Sequence, residues 1–248
     1  MAKDDPAPAR YIPGAPDSPL LILADHASNH VPAGIDLGVE RQLLEKHVAF
    51  DIGSAALARK LAQRLRCPAI LGSVSRLVVD LHRDPGEASA IPELSDGHAI
   101  PGNSALDAAE RERRIERYWR PYHQFIAERI AALAPAMLVT VHSFTPRLES
   151  RPDQARPWQV GLLYNRDDRA ARIALRLLVE AGIAAGDNEP YSGRALNATM
   201  NRHAESRGLP YLAIEVRNDL LVDEKGIERR AALLAPVIER SRQMLGEA

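Results

Sequence analysis

Leu20-Leu21-Ile22-Leu23-Ala24-Asp25-His26 is the stretch that decides the fold. Five apolar residues run unbroken from Pro19 to Asp25, which is how a strand buried on both faces reads. Two more runs share the pattern and its polar ending: residues 137–141 (MLVTV) stop at His142, and residues 211–216 (YLAIEV) enclose Glu215. Residues 69–72, 77–81 (LVVDL) and 160–164 are further strand candidates. Helical patterns lie between them. Residues 39–65 carry Leu43, Leu44, Val48, Ile52, Leu57 and Leu61 at helical spacing. Residues 105–133 do the same with Ile115, Trp119, Tyr122, Ile126, Ile130 and Leu133. Pro121 sits inside that stripe, so a kink is expected near Arg120. Residues 168–181 read as a helix ended by Gly182, and Ile227, Ala231, Leu234, Ile238 and Leu245 mark a C-terminal helix. Strands alternating with helices argue an α/β sandwich around a mostly parallel sheet. No linker or repeat divides residues 20–248, so one domain is expected. Residues 1–19 hold five prolines before any apolar run and read as a poorly ordered lead-in.

The composition narrows the function classes. The chain has 248 residues, long enough to bury a core without disulfides or a structural metal. Its 32 Lys and Arg balance 33 Asp and Glu, which argues against a nucleic-acid binder. No apolar run approaches the ~20 residues of a membrane helix, and the N-terminus has no signal-peptide pattern. The cytoplasm is therefore the expected location. Cys67 is the single cysteine and reads as a small buried hydrophobe. Oligomeric state stays open. Neither a nucleophile elbow nor a dinucleotide or phosphate-loop fingerprint is present.

In parallel α/β sheets, ligands sit at the carboxyl ends of the strands. Here the first strand ends in Asp25-His26-Ala27-Ser28-Asn29-His30, the third in Asp80-Leu81-His82-Arg83, and the fourth in His142-Ser143; the last contains Glu215. Three strands thus deliver histidine and a fourth a glutamate to one edge. Neutral imidazole suits zinc, and a neighbouring carboxylate can take a proton from water. A glutamate inside an apolar strand must be paired, protonated or functional, with Arg217 as a possible ion-pair partner. His47 and Asp51 lie four apart, on one face of the expected helix.

Five segments occur in order: Asp25-His26-Ala27-Ser28-Asn29-His30-Val31-Pro32, His47-Val48-Ala49-Phe50-Asp51-Ile52-Gly53, Ser75-Arg76-Leu77-Val78-Val79-Asp80-Leu81-His82-Arg83, Val141-His142-Ser143 and Ile214-Glu215-Val216-Arg217-Asn218-Asp219-Leu220. As a set they resemble the N-formylglutamate amidohydrolase family, which is related to zinc carboxypeptidases and aspartoacylase. The resemblance implies a three-layer α/β/α sandwich with a mixed, mostly parallel sheet of the phosphorylase/hydrolase-like type. It implies hydrolysis of the amide bond of a small N-acyl amino acid, N-formyl-L-glutamate first, with zinc or another divalent transition metal.

Carried over residue by residue, the resemblance implies that His26 and His142 are metal ligands and Glu215 the general base. Arg83 matches an arginine that grips a substrate carboxylate. Asn29 stands where carboxypeptidases have a carboxylate ligand. The third ligand is then Asp51, ranked first, or Asn29, which otherwise orients a ligand or touches substrate. His82 replaces an asparagine before Arg83, which bears on how the substrate is held. Arg76, Arg217 and His203 are further candidates for the anionic pocket. Two alternatives stay open: a related zinc hydrolase for another N-acyl amino acid or small peptide, and a metal-free binding protein, which the Asn29 departure favours.

Overall fold

The computed structural model describes residues 7–247. Its elements, in chain order, are β1 (Ala9–Ile12), β2 (Leu20–Ala24), α1 (Ser54–Leu65), β3 (Ala69–Gly72), the hairpin β4 (Leu94–Ser95) and β5 (His98–Ala99), α2 (Pro101–Ser104), α3 (Ala108–Arg114), α4 (Arg120–Leu133), β6 (Met137–Phe144), β7 (Val160–Leu163), α5 (Arg169–Glu180), β8 (Ala185–Asp187), α6 (Ala198–His203), β9 (Tyr211–Arg217) and α7 (Glu224–Gly246). Seven strands form one sheet in the order β1-β3-β2-β6-β9-β7-β8. The central four, β3, β2, β6 and β9, are parallel. β1 pairs antiparallel with β3 and β7 antiparallel with β9, and β8 runs parallel to β7.

Every residue of β2 and β6 is buried. Successive strand residues point to opposite faces, so both faces of the sheet are covered and the fold is a three-layer α/β/α sandwich. α1 buries Ser54, Leu57, Ala58, Leu61 and Ala62, and α5 buries Ala170, Ala171, Ala174, Leu177 and Leu178. Both sets follow the one-sided spacing of an amphipathic helix. Both helices pack on α7, while α4 supplies Tyr122, Ile126 and Ile130 to the core. Among the described residues, no helix is long and apolar enough to cross a membrane.

The structure departs from the sequence reading at several elements. Residues 39–65 are not one helix: a 3-10 turn (Arg41–Glu45) is followed by turns, and α1 starts only at Ser54. Gly53 adopts a left-handed φ of 81°. The Asp51 N–H donates to His26 O, and Ala49 O accepts from Arg76 N–H, so the backbone there serves neighbouring segments rather than a helical ladder. His47 and Asp51 therefore share no helix face; His47 Nε2 pairs with Asp96 at 2.7 Å. Residues 77–81 form no strand. Ser75 O accepts from the N–H groups of Val78 and Val79, and Asp80 N–H donates to Ala90 O, which makes this apolar run a buried turn. Pro121 follows a π turn (Ile115–Trp119), in which Arg120 N–H reaches back five residues to Ile115 O. That wider turn accommodates a ring that an unbroken α-helix would not. Residues 9–12, assigned to the lead-in, form the edge strand β1; residues 1–6 of the lead-in lie outside the described residues.

Candidate active site

The parallel strands bring the chemistry to their carboxyl edge. β2 runs directly into Asp25 and His26, β6 carries His142, and β9 carries Glu215, which pairs with His142 in register. Gly72, at the end of β3, lets the backbone of Asp25 come close: a Cβ there would meet Asp25 O at 2.1 Å. Asp51 reaches the same edge from the turn before α1, held by its 3.0 Å hydrogen bond to His26 O.

His26 Nδ1 and His142 Nδ1 approach the same oxygen, Asp51 Oδ2, at 3.4 and 2.9 Å. All three side chains are buried, and their ligand atoms lie within 4.8 Å of one another. Four ligands about 2.0–2.2 Å from a tetrahedral zinc are themselves about 3.3 Å apart, so two imidazoles and one carboxylate at these spacings fit a divalent transition metal. The far nitrogens add to the fit. His26 Nε2 lies 2.7 Å from Asp80 Oδ1; His142 Nε2 lies 3.5 Å from Asp25 Oδ2, an ion-pair contact without a hydrogen bond. A carboxylate behind a metal-ligating histidine fixes its ring and tautomer. Asp25, His82 and His142 form a second cluster. There, however, Asp25 already accepts the Tyr122 hydroxyl at 2.6 Å and pairs with His82 Nδ1 at 2.8 Å. Asp25 is fully buried and does not border the cavity, whereas His26, Asp51 and His142 do.

That cavity, about 120 Å³, is also walled by Glu215, Arg76, Arg83, His82 and Tyr191. Glu215 Oε2 has no hydrogen-bond partner, and Glu215 forms no ion pair among the described residues. Burial pushes its carboxyl up to about 7, against the opposing pull of His142. Burial acts the same way on Asp51, but His26 and His142 override it and hold that carboxyl well below the usual range. Two carboxylates at one site are thus set apart: one stays ionised, the other sits where it can take up and return a proton. Arg76 is tied to Asp80 Oδ2 at 2.8 Å and to Asp51 Oδ1 at 3.4 Å. Arg83, on the cavity wall, has no carboxylate partner among the described residues; its one side-chain hydrogen bond is a long 3.4 Å contact to His82 O.

The remaining sequence candidates lie away from the cavity lining. Asn29 Nδ2 donates to Leu44 O at 3.0 Å, tying the loop after β2 to residues 41–45. Arg217 pairs with Asp219 at 2.8 Å and donates to Pro157 O at 3.2 Å. His203 stacks on His123, with His123 Nδ1 2.9 Å from His203 Nε2 and His123 Nε2 donating to Leu81 O at 2.9 Å. Three residues that the structure adds had no assigned role in the sequence. Asp25 and Asp80 were visible as acids flanking the motif histidines, and Asp80 stands four residues after its partner Arg76. Tyr191 comes from a stretch without periodicity and left no signal.

A profile of the N-formylglutamate amidohydrolase family matches residues 18–222. The chain belongs to this family. A curated member, N-formylglutamate deformylase of Pseudomonas aeruginosa, is 27% identical over 202 residues, covering 75% of this chain and 74% of the relative. The crystal structure of a gene product of Agrobacterium tumefaciens superposes with a TM-score of 0.91 at 31% identity, over 96% of both chains. N-formylglutamate amidohydrolase from Ralstonia eutropha JMP134 shares the fold, with a TM-score of 0.68 at 21% identity over 98% of this chain and 99% of its own. Membership in the N-formylglutamate amidohydrolase family supports an amidohydrolase enzyme whose substrate is a small molecule.

Proposed function

We propose that this family member hydrolyses the amide bond of N-formyl-L-glutamate to formate and L-glutamate, a step of amino-acid catabolism, using zinc or another divalent transition metal. The observation that carries this reading is the meeting of His26, Asp51 and His142 around one point, with Glu215, whose Oε2 has no hydrogen-bond partner among the described residues, on the wall of the same cavity. The names of the relatives support the choice of substrate.

His26 Nδ1, Asp51 Oδ2 and His142 Nδ1 would hold the ion. When bound, it supplies Lewis-acid chemistry, polarising the acyl carbonyl and making water more acidic. Glu215 accepts the proton of the attacking water at Oε2 and then delivers it to the departing amine nitrogen. Arg83, which has no carboxylate partner among the described residues, holds the substrate's α-carboxylate through its planar guanidinium. Arg76, fixed by Asp80 and Asp51, keeps positive charge beside the carbonyl oxygen as negative charge develops there. His82 pairs through Nδ1 with Asp25; its Nε2 is then an acceptor toward the cavity, suited to the scissile N–H. A cavity of about 120 Å³ favours a formyl group over a long acyl chain.

Replacing Glu215 with Gln tests the assignment. Formate release from N-formyl-L-glutamate should fall by about 10²–10⁴-fold, with zinc binding and the unfolding midpoint retained. Turnover at the wild-type rate would overturn the role of Glu215.

A further inference from the structure

The catalytic cavity adjoins a second one at His82, Arg83 and Leu196. This larger chamber, of about 520 Å³, reaches Trp119, Asn197 and Arg202. That volume lies in the range of about 300–1,000 Å³ typical of sites for drug-sized ligands. It far exceeds what one glutamate side chain needs. Two arginines, Arg83 and Arg202, and two carboxylates, Asp84 and Glu87, line the chamber. Asp84 Oδ1 accepts from Gly86 N–H at 2.9 Å, and Glu87 Oε2 from Ser89 Oγ at 2.8 Å. Neither Arg83 nor Arg202 has a carboxylate partner among the described residues. The Arg202 guanidinium lies 4.6 Å over the ring of Trp119, and Trp119 is itself pinned by its Nε1–H to Arg83 O at 3.0 Å. An arginine stacked on an anchored indole keeps its donor edge free and loses little freedom on binding an anion.

We propose that this chamber is a subsite for an amide-linked extension of the substrate that ends in a carboxylate, with Arg202 as the group that reads it. The inference rests on the hydrolase reading above. With Arg83 on the α-carboxylate, the extension leaves through the side-chain carboxyl, so the ligand class is an N-acyl acidic amino acid carrying one further residue on its side chain. The reaction is unchanged: water adds across the acyl amide, releasing the acid and the free amine of the extended compound.

The test compares three compounds: N-formyl-L-glutamate, N-formyl-γ-L-glutamylglycine and its glycinamide, which lacks the terminal charge. The wild-type protein should hydrolyse the glycine compound with a KM about tenfold below that of the glycinamide. Arg202→Gln, an exposed position, should erase that difference, about 1.4 kcal/mol, while leaving kcat and the kinetics on N-formyl-L-glutamate within twofold. Arg202→Lys should restore part of it. Release of formate from N-formyl-L-glutamate, with no hydrolysis of the glycine compound or no effect of Arg202→Gln on it, would overturn the subsite and leave the hydrolase reading standing. No release from any compound by zinc-loaded protein would reject the hydrolase reading, and the subsite with it.

Discussion

Replacing Gly72 with Ala perturbs the site without touching any group that does chemistry. The added Cβ would lie 2.1 Å from Asp25 O and 2.8 Å from Leu81 Cδ1. A relaxed carbon–oxygen contact is about 3.3–3.6 Å, so β3 and the end of β2 must separate by about 1.2 Å. Neither can yield freely. β2 and β3 are paired in the middle of a seven-stranded sheet, and the residue next to Asp25 is His26. Overpacking of this kind costs about 1–3 kcal/mol, which in a domain of this size lowers the thermal midpoint by about 2–12 °C. The larger effect is on chemistry, because misplacing a reacting group by about 1 Å costs up to about 10²-fold. The assay is a thermal or urea midpoint beside formate release and zinc content. A variant with wild-type midpoint and wild-type activity would refute the argument that the close approach at Gly72 sets the position of Asp25 and His26.

Other outcomes follow from the same geometry. Asp80→Asn keeps the shape but weakens the support behind His26 Nε2, and zinc affinity, measured by chelator competition, should fall about 10–100-fold; unchanged affinity would remove Asp80 from the account. Burial pushes His123 down to about 4, so the unfolded chain takes up that proton first as the pH falls. The stability His123 contributes is fully present above about 6.5 and is lost between there and about 4, a span worth on the order of 3 kcal/mol. Urea midpoints against pH should show that slope in the wild type and a shallower one in His123→Gln; equal slopes would contradict it. Burial also pushes the Cys67 thiol up to about 12, so a thiol reagent at pH 8 should label the protein in urea and not when folded, and rapid labelling of the folded form would count against the packing around α1.

The candidate site was legible where a polar residue ends or interrupts an apolar run. His26, His142 and Glu215 stand out because strand ends in parallel sheets are where polar residues need a reason to be present. Two of the misread elements, residues 39–65 and 77–81, share one cause. Their apolar residues are buried, but their backbone hydrogen bonds go to distant partners such as His26 O and Ala90 O. Periodicity reports burial and not where the backbone bonds go. That is also why Asp51, expected on a helix, comes from a turn whose shape is fixed by His26 and Gly53. Asp25 is a different case. Its role depends on three partners 57, 97 and 117 residues away (His82, Tyr122 and His142), and no local pattern encodes that.

In the proposed mechanism, His26, Asp51 and His142 hold a metal on which amide hydrolysis depends. Formate release from N-formyl-L-glutamate tests it most directly, measured on the protein as purified, after chelation and after zinc is returned. Release should stop on chelation and recover with about one zinc per chain. Release that continues unchanged in metal-free protein would contradict it.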